Sequence, residues 1–373
     1  MSNSSPVKPL IILTAGGTGG HVFPAEALAE ELSARGYELA LVTDSRGKDN
    51  YHGKLGEITN YSVWAGALMG KSKWFKIKSL CKTGFGVLQA AAILLKKKPV
   101  CVVGFGGYAS FPCCMAAILL GIDLIIHEQN SVMSRTNRFL SKYASYIAQS
   151  FENVKYTPSR TPKILTGMPI RQNIAALNKR EYKPRNTENK FQLLIIGGSQ
   201  GAKIFSDVIP AAIKMLPNDI QKQMRIFHQC RKDDIDSVKS GYDGCAAEIT
   251  VSHFFDNMAD LYAQTSLIIS RAGASSIAEI TATRLPSILI PLPTAADDHQ
   301  TTNAEAIGKK QAGHVLTQQD FSAETLRKLL SELINDENQL TIMSDRTAKL
   351  SIIDAAQRLA DVVEKQIVTG GQE

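Results

Sequence analysis

LIILTAGGTGGHVFPA, from Leu10 to Ala25, holds a strand, a turn and a helix start in sixteen residues. The apolar run Leu10 to Leu13 has the length and content of a buried strand. Four glycines fall within the five positions 16–20, and His21 follows them. Glycines let a backbone come close to a ligand, and a helix start behind them offers unpaired N–H groups and the positive end of its dipole. Pro24 suits the first turn of that helix, and Ala25, Leu28, Ala29 and Leu32 recur on one face. The stretch predicts an anion site, a phosphate above all, although a tight βα turn without a ligand would use the same glycines. The dinucleotide pattern G-x-G-x-x-G fails, because Gly17 and Gly19 need a third glycine where Val22 stands. The Walker pattern fails as well. One feature favours a dinucleotide: Asp44 follows the next apolar run, where a ribose-binding acid would lie.

The same opening returns half a chain later. LLIIGGSQGA, from Leu193 to Ala202, leads into a helical stretch with Ile204, Val208, Ile209 and Ala212 on one face. A third turn, GFGGYASFP from Gly104, follows the strand-like Val100 to Val103. Short β-rich runs alternating with helical patterns predict an α/β chain of two Rossmann-like, doubly wound parallel-sheet domains facing a cleft. At 373 residues the chain suits two domains. The Pro-, Asn-, Lys- and Arg-rich stretch 156–190 is the natural linker, and the expected domains are 1–170 and 171–373. Near the end, Ile352, Ile353, Ala356, Leu359, Val362 and Val363 give an amphipathic helix, about 352–373, expected to pack back on the first domain.

Composition excludes several classes. The start, MSNSSPVKP, has no signal-peptide pattern, and the longest nearly uncharged apolar run, Phe111 to Ile122, is too short for a membrane span. The six cysteines show no C-x-x-C spacing, which suits a reducing cytosol and gives no zinc site. The net charge of +7 is unevenly placed. Between Glu57 and Asp123 there is no acidic residue but there are eight lysines. Lys73, Lys76 and Lys78 interleave with Trp74, Phe75, Ile77 and Leu80, a mixture that suits an anionic surface, nucleic acid or membrane. Aromatic residues turned into the core would read the same way.

The second half adds chemistry. In SRAGASSIAEI, from Ser270, small residues at Gly273 to Ser276 admit a phosphate to a helix start. Glu279 stands one turn further on, where a carboxylate can accept two hydrogen bonds from a ribose diol or simply favour the helix dipole. PLPTAADDHQTTNA, from Pro291, offers Gln300 and Asn303 to sugar hydroxyls; its paired Asp297 and Asp298 lack the further spaced ligands of a metal site. HEQN, from His127, ends another strand and would serve equally as a helix cap.

Taken in order, GGTGGHVFPA, GFGGYAS, HEQN, GGSQGA, RAGA with Glu279, and PLPTAADDHQ resemble the MurG family across essentially the whole chain. These are the bacterial undecaprenyl-diphospho-muramoylpentapeptide β-N-acetylglucosaminyltransferases. The resemblance implies a GT-B fold and inverting transfer of N-acetylglucosamine from UDP-GlcNAc to the muramoyl 4-hydroxyl of lipid I, giving lipid II. An epimerase-like enzyme of the same fold and a non-catalytic UDP-sugar-binding protein are the alternatives. By the same likeness, Thr18, Gly19, Gly20, Asn130, Arg171, Ser199, Phe255, Ala274, Ser275, Ser276, Ile277, Ala278, Glu279 and Gln300 contact the donor. Gly16, Gly17, Gly104, Gly106 and Gly107 face the acceptor diphosphate. The chain departs from the family's G-N-P-[VI]-R segment at Met168, so any role of an asparagine side chain there is lost. His21, projecting from the helix start, is the candidate base, with Glu128 in reserve. Helix starts can neutralise a departing diphosphate, so neither metal nor cofactor is expected. The Lys/aromatic segment then points to anionic phospholipid rather than nucleic acid, placing the enzyme peripherally on the cytoplasmic face of the inner membrane.

Overall fold

The computed structural model describes residues 9–16, 19–44, 51, 53–66, 73–198 and 201–370; of residues 73–76, 369 and 370 it describes the backbone alone. The chain divides into two compact units, 1–170 joined by 354–373, and 171–353.

The first unit is built on a wholly parallel sheet of seven strands. They are β1 (Leu10–Thr14), β2 (Glu38–Thr43), β3 (Thr59–Ser62), β4 (Cys101–Gly104), β5 (Asp123–Glu128), β6 (Tyr146–Gln149) and β7 (Lys163–Leu165). Their order is β3-β2-β1-β4-β5-β6-β7, so the winding reverses between β1 and β4. Alternation along β1 loads both faces of the sheet. Ile11 and Leu13 join a core with Leu28 and Leu32 of the helix Gly19–Ala34 and with Leu359 and Val363 of the helix Ala355–Gly370. Ile12 faces the other way, toward Ala90 and Leu94 of the helix Lys73–Lys97 and Cys113 and Ala117 of the helix Gly107–Leu119. Arg35 ties the two helices of the first face together. Its guanidinium donates to Glu31, Asp361 and Glu364 at 2.6–2.8 Å and to the Gln357 carbonyl at 3.2 Å.

The second unit repeats the plan with six parallel strands. They are β8 (Phe191–Ile196), β9 (Met224–Gln229), β10 (Glu248–Ser252), β11 (Leu267–Ser270), β12 (Ser287–Leu289) and β13 (Gly313–Val315). The order β10-β9-β8-β11-β12-β13 again reverses, here between β8 and β11.

Three local features differ from expectation. The first helix begins at Gly19, so Pro24 lies inside it, one turn beyond the place where a missing N–H costs nothing. The stretch 156–190 is no plain linker: it contributes β7, the edge of the first sheet, and the helix Gln172–Ala175 of the second unit. Finally, Ile77–Lys97 is long and apolar enough to cross a membrane by length and composition, which the run Phe111 to Ile122 is not. That helix packs along its neighbour Gly107–Leu119 and leaves its other face exposed.

Candidate functional site

Where the winding of a parallel sheet reverses, the loops after adjacent strands diverge and open a crevice at the strands' carboxyl ends. Both units place their small-residue turns there. In the first, Gly16 follows β1, Gly104 ends β4, and Gly106 and Gly107 follow it. Gly106 and Gly107 take φ of 80° and 75°, a left-handed backbone that residues with a Cβ resist. At each, a side chain would also be tightly placed. A Cβ on Gly107 would meet the His21 ring at 3.3 Å, and one on Gly106 would meet the Asn137 amide at 3.2 Å. Gly16 is confined far more tightly, since a Cβ there would run into the Ala109 Cβ. His21 thus lies in the first turn of its helix with the ring edge against the Gly107 backbone, bringing the first and third glycine turns onto one imidazole. Gly19 and Gly20 open the same helix. Gly17, Thr18 and Ser199 lie outside the described residues, as do the side chains of Lys73, Trp74, Phe75 and Lys76.

HEQN ends β5, next to β4. Glu128 is fully buried, and its carboxylate accepts from the backbone N–H groups of Asn130 and Ser134 at 3.0 Å and from the Asn137 amide at 2.8 Å. Burial pushes its carboxyl up against the pull of those donors. Gln129 donates to the Phe105 carbonyl at 2.7 Å, stitching the loop to the β4 turn. His127 is enclosed as well. Its Nε2 is 3.2 Å from the Gly167 carbonyl, Nδ1 is 3.2 Å from the Gln129 amide, and burial holds the imidazole down to about 4, neutral. Asn130 is left half-buried at the end of this network. Glu128 is thus enclosed by donors of the segment that follows it.

In the second unit, Gly197 and Gly198 follow β8, and Arg271 to Gly273 follow β11 into the helix Ala274–Ala282. Ala274, Ser275, Ser276, Ile277 and Ala278 form its opening turns, and no side chain caps it. The Ser275 hydroxyl oxygen is shielded from solvent with no hydrogen-bond partner among the described residues. Glu279 sits one turn in. One carboxylate oxygen accepts from the Tyr262 hydroxyl at 2.8 Å and the other from Arg171 at 3.1 Å. The loop after β12 is held from below by Arg271, which donates to the carbonyls of Ile290 and Pro291 and lies over the Phe205 ring. Asn303 donates to the Ala272 carbonyl, and Gln300 accepts from the Leu292 N–H at 3.0 Å. Asp297 and Asp298 both stand in the left-handed region, φ 51° and 53°, and Asp298 accepts from the Thr301 hydroxyl at 2.6 Å. Phe255 follows β10 and meets Phe227 edge-on at 5.9 Å.

Sequence reasoning missed Asn137, Gln129 and Tyr262. The first two had a trace, a polar pair within and just beyond HEQN. Tyr262 had none.

Two parallel sheets of the same strand order, each with its glycine turns at the reversal, form the GT-B class of fold, used by nucleotide-sugar transferases. Residues 11–149 match the model of the glycosyltransferase family 28 N-terminal domain, and residues 192–359 that of the family 28 C-terminal domain. A UDP-N-acetylglucosamine–N-acetylmuramyl-(pentapeptide) pyrophosphoryl-undecaprenol N-acetylglucosamine transferase of Paramagnetospirillum magneticum is 44% identical, covering 96% of this chain and 97% of its own. The protein of the same name from Granulibacter bethesdensis is 40% identical over 96% of this chain and 94% of its own. The crystal structure of Acinetobacter baumannii MurG superposes with a TM-score of 0.76 at 29% identity, covering 96% of this chain and 99% of that one. The chain belongs to this family of N-acetylglucosamine transferases.

Proposed function

We propose that the chain transfers N-acetylglucosamine from UDP-GlcNAc to the muramoyl 4-hydroxyl of lipid I, with inversion, to give lipid II. The supporting observation is the placement of the family's motifs: each described one stands at the carboxyl end of a parallel strand, most of them at the two reversals of winding. In this reading His21 takes the proton of the attacking hydroxyl as its oxygen bonds to the sugar C1. The bond from C1 to the diphosphate breaks, and UDP leaves on the helix start at Ala274, where Ser275 and Ser276 donate to it. Glu279 accepts the ribose hydroxyls, Arg171 and Gln300 complete the donor site, and Phe255 borders the uracil. The turns at Gly16 and Gly104–Gly107 hold the acceptor diphosphate. Glu128 keeps the loop carrying Asn130 in shape.

The acceptor's undecaprenyl chain stays in the bilayer, so the enzyme works at a membrane surface. Support comes from the helix Lys73–Lys97, on which Ile77, Leu80 and Leu88 are 54%, 65% and 67% exposed, among lysines and without an acidic residue. Trp64 and Phe85, also exposed, stand edge-on at 6.1 Å beside this row. Apolar side chains dipping into the headgroup boundary and lysines on anionic lipid act together in such contacts.

Labelled UDP-GlcNAc incubated with a lipid I analogue tests the activity. A labelled disaccharide product is expected. Appearance of an epimerised UDP-sugar without acceptor, or binding without turnover, overturns the reading.

A further inference from the structure

The carboxylate of Glu279 is held from two sides by groups that lie far from it in sequence. Tyr262, in the helix Met258–Gln264, donates to one oxygen, and Arg171, at the start of the helix Gln172–Ala175, donates to the other. Each carboxylate oxygen has two lone-pair directions, so one donor on each leaves one on each. Two lone pairs left over on a fixed carboxylate, one on each oxygen, match in number the two hydroxyls of a vicinal diol. A carboxylate free to rotate would have to be ordered by the ligand itself, at a cost in affinity.

The two donors are unequal. The Arg171 side chain is 36% exposed, so water competes for its guanidinium. Tyr262 is buried in the helix Met258–Gln264, and Glu279 is the acceptor its hydroxyl takes. Burial and the neighbouring carboxylate both push the phenol well above its ordinary range, so it stays a donor throughout the working pH.

We infer that Tyr262 is the positioning residue of the nucleotide-binding carboxylate, fixing the Glu279 rotamer so that the donor's ribose, with both hydroxyls, is preferred over a 2′-deoxyribose. The inference rests on the reading of Glu279 as the ribose acid. Tyr262 does not touch the ligand. It acts through Glu279 alone, and its loss is felt in donor affinity more than in turnover.

The test compares UDP-GlcNAc with 2′-deoxy-UDP-GlcNAc in steady-state turnover of a lipid I analogue, for the wild type, Glu279→Ala, Glu279→Asp and Tyr262→Phe. Wild type is expected to prefer the ribose by about tenfold or more, the usual worth of a charge-assisted hydrogen bond. Glu279→Ala should abolish the preference. Tyr262→Phe, which keeps the ring and removes only the hydroxyl, should raise KM for the donor more than it lowers kcat and should lose most of the preference. Glu279→Asp, too short to meet Tyr262 and the diol together, should lose it too, and decides the matter if the Phe variant does not fold. A purely structural tyrosine would lower the thermal midpoint and the active fraction while leaving KM and the preference unchanged. If Glu279→Ala loses the preference but Tyr262→Phe or Glu279→Asp keeps it, the inference fails and the ribose reading stands. If Glu279→Ala keeps it, the ribose lies elsewhere and both fall.

Discussion

Glu128 and Glu279 are the same residue at comparable places, one ending a parallel strand and the other in the helix that follows another, and they are held in opposite ways. Glu128 faces inward: its oxygens are taken by the backbone N–H groups of Asn130 and Ser134 and by the Asn137 amide of the short helix that follows, and none of it is exposed. Glu279, its side chain 13% exposed, is held by a phenol on one oxygen and a guanidinium on the other, which leaves half its lone pairs over. A carboxylate satisfied by its own segment shapes that segment; one steadied by a single donor on each oxygen keeps acceptor capacity, which the proposed ribose contact would use. Charge and position do not tell these apart. The donors around them do.

That contrast can be broken most directly at Glu128. In Glu128→Ala, two N–H groups and the Asn137 amide lose a buried acceptor, at about 1–3 kcal/mol each. Calorimetry should show the first unit's unfolding midpoint falling by many degrees, while UDP binding by the second unit is retained. A stable variant with normal thermal behaviour would put Glu128 back among the candidates for direct chemistry.

His21→Ala should lower kcat by about 10²–10⁴-fold, the usual worth of a general base, and leave equilibrium UDP binding nearly intact. Full turnover in this variant would remove His21 as base.

Acid should act on both units alike. His127 and His228 are buried neutral, held to about 4 and about 3 by desolvation. An unfolded histidine takes its proton near 6.5, so below that pH the unfolded chain gains protons that the folded one refuses. Stability is full above about 6.5 and declines as pH falls toward 4, by about 3 kcal/mol for His127. Unfolding measured between pH 7 and 4 should show this slope, and His228→Gln should flatten the second unit's part alone.

The smallest effect is expected at the surface helix. Ile77, Leu80 and Leu88 replaced by Ser, and Lys78 and Lys82 by Gln, should weaken binding to phosphatidylglycerol or cardiolipin vesicles, by about 1 kcal/mol per lysine at most. Turnover of membrane-embedded lipid I should drop with it, while a soluble short-chain acceptor is spared. Equal loss with both acceptors would make this face part of the fold rather than a docking surface.

What could be read ahead of the structure followed the range of the interaction. The glycine turns were legible because their demands are local: a left-handed φ at Gly106 and Gly107 and closeness at Gly16 are met by residue type alone. The paired sheets were legible from apolar runs spaced by helices. β7 was hidden because Lys163–Leu165 is a three-residue edge strand among prolines and basic residues. Tyr262 and Arg171 reach Glu279 across 17 and 108 residues, and only packing brings them there. The inward turn of Glu128 was illegible for a related reason: its partners Ser134 and Asn137 belong to a short helix and its cap, whose placement HEQN does not announce.

The return of the helix Ala355–Gly370 to the first unit bears on how the protein is made. Residues 171–353 form the second unit without interruption, so that unit is complete as soon as they leave the ribosome. The first unit, although translated earlier, must wait for the last stretch of the chain before Leu359 and Val363 can cover Leu28 and Leu32. In the order of synthesis the first unit comes first; in the order of completion it comes after the second, and until then the nascent chain carries an open apolar seam of the kind that chaperones recognise.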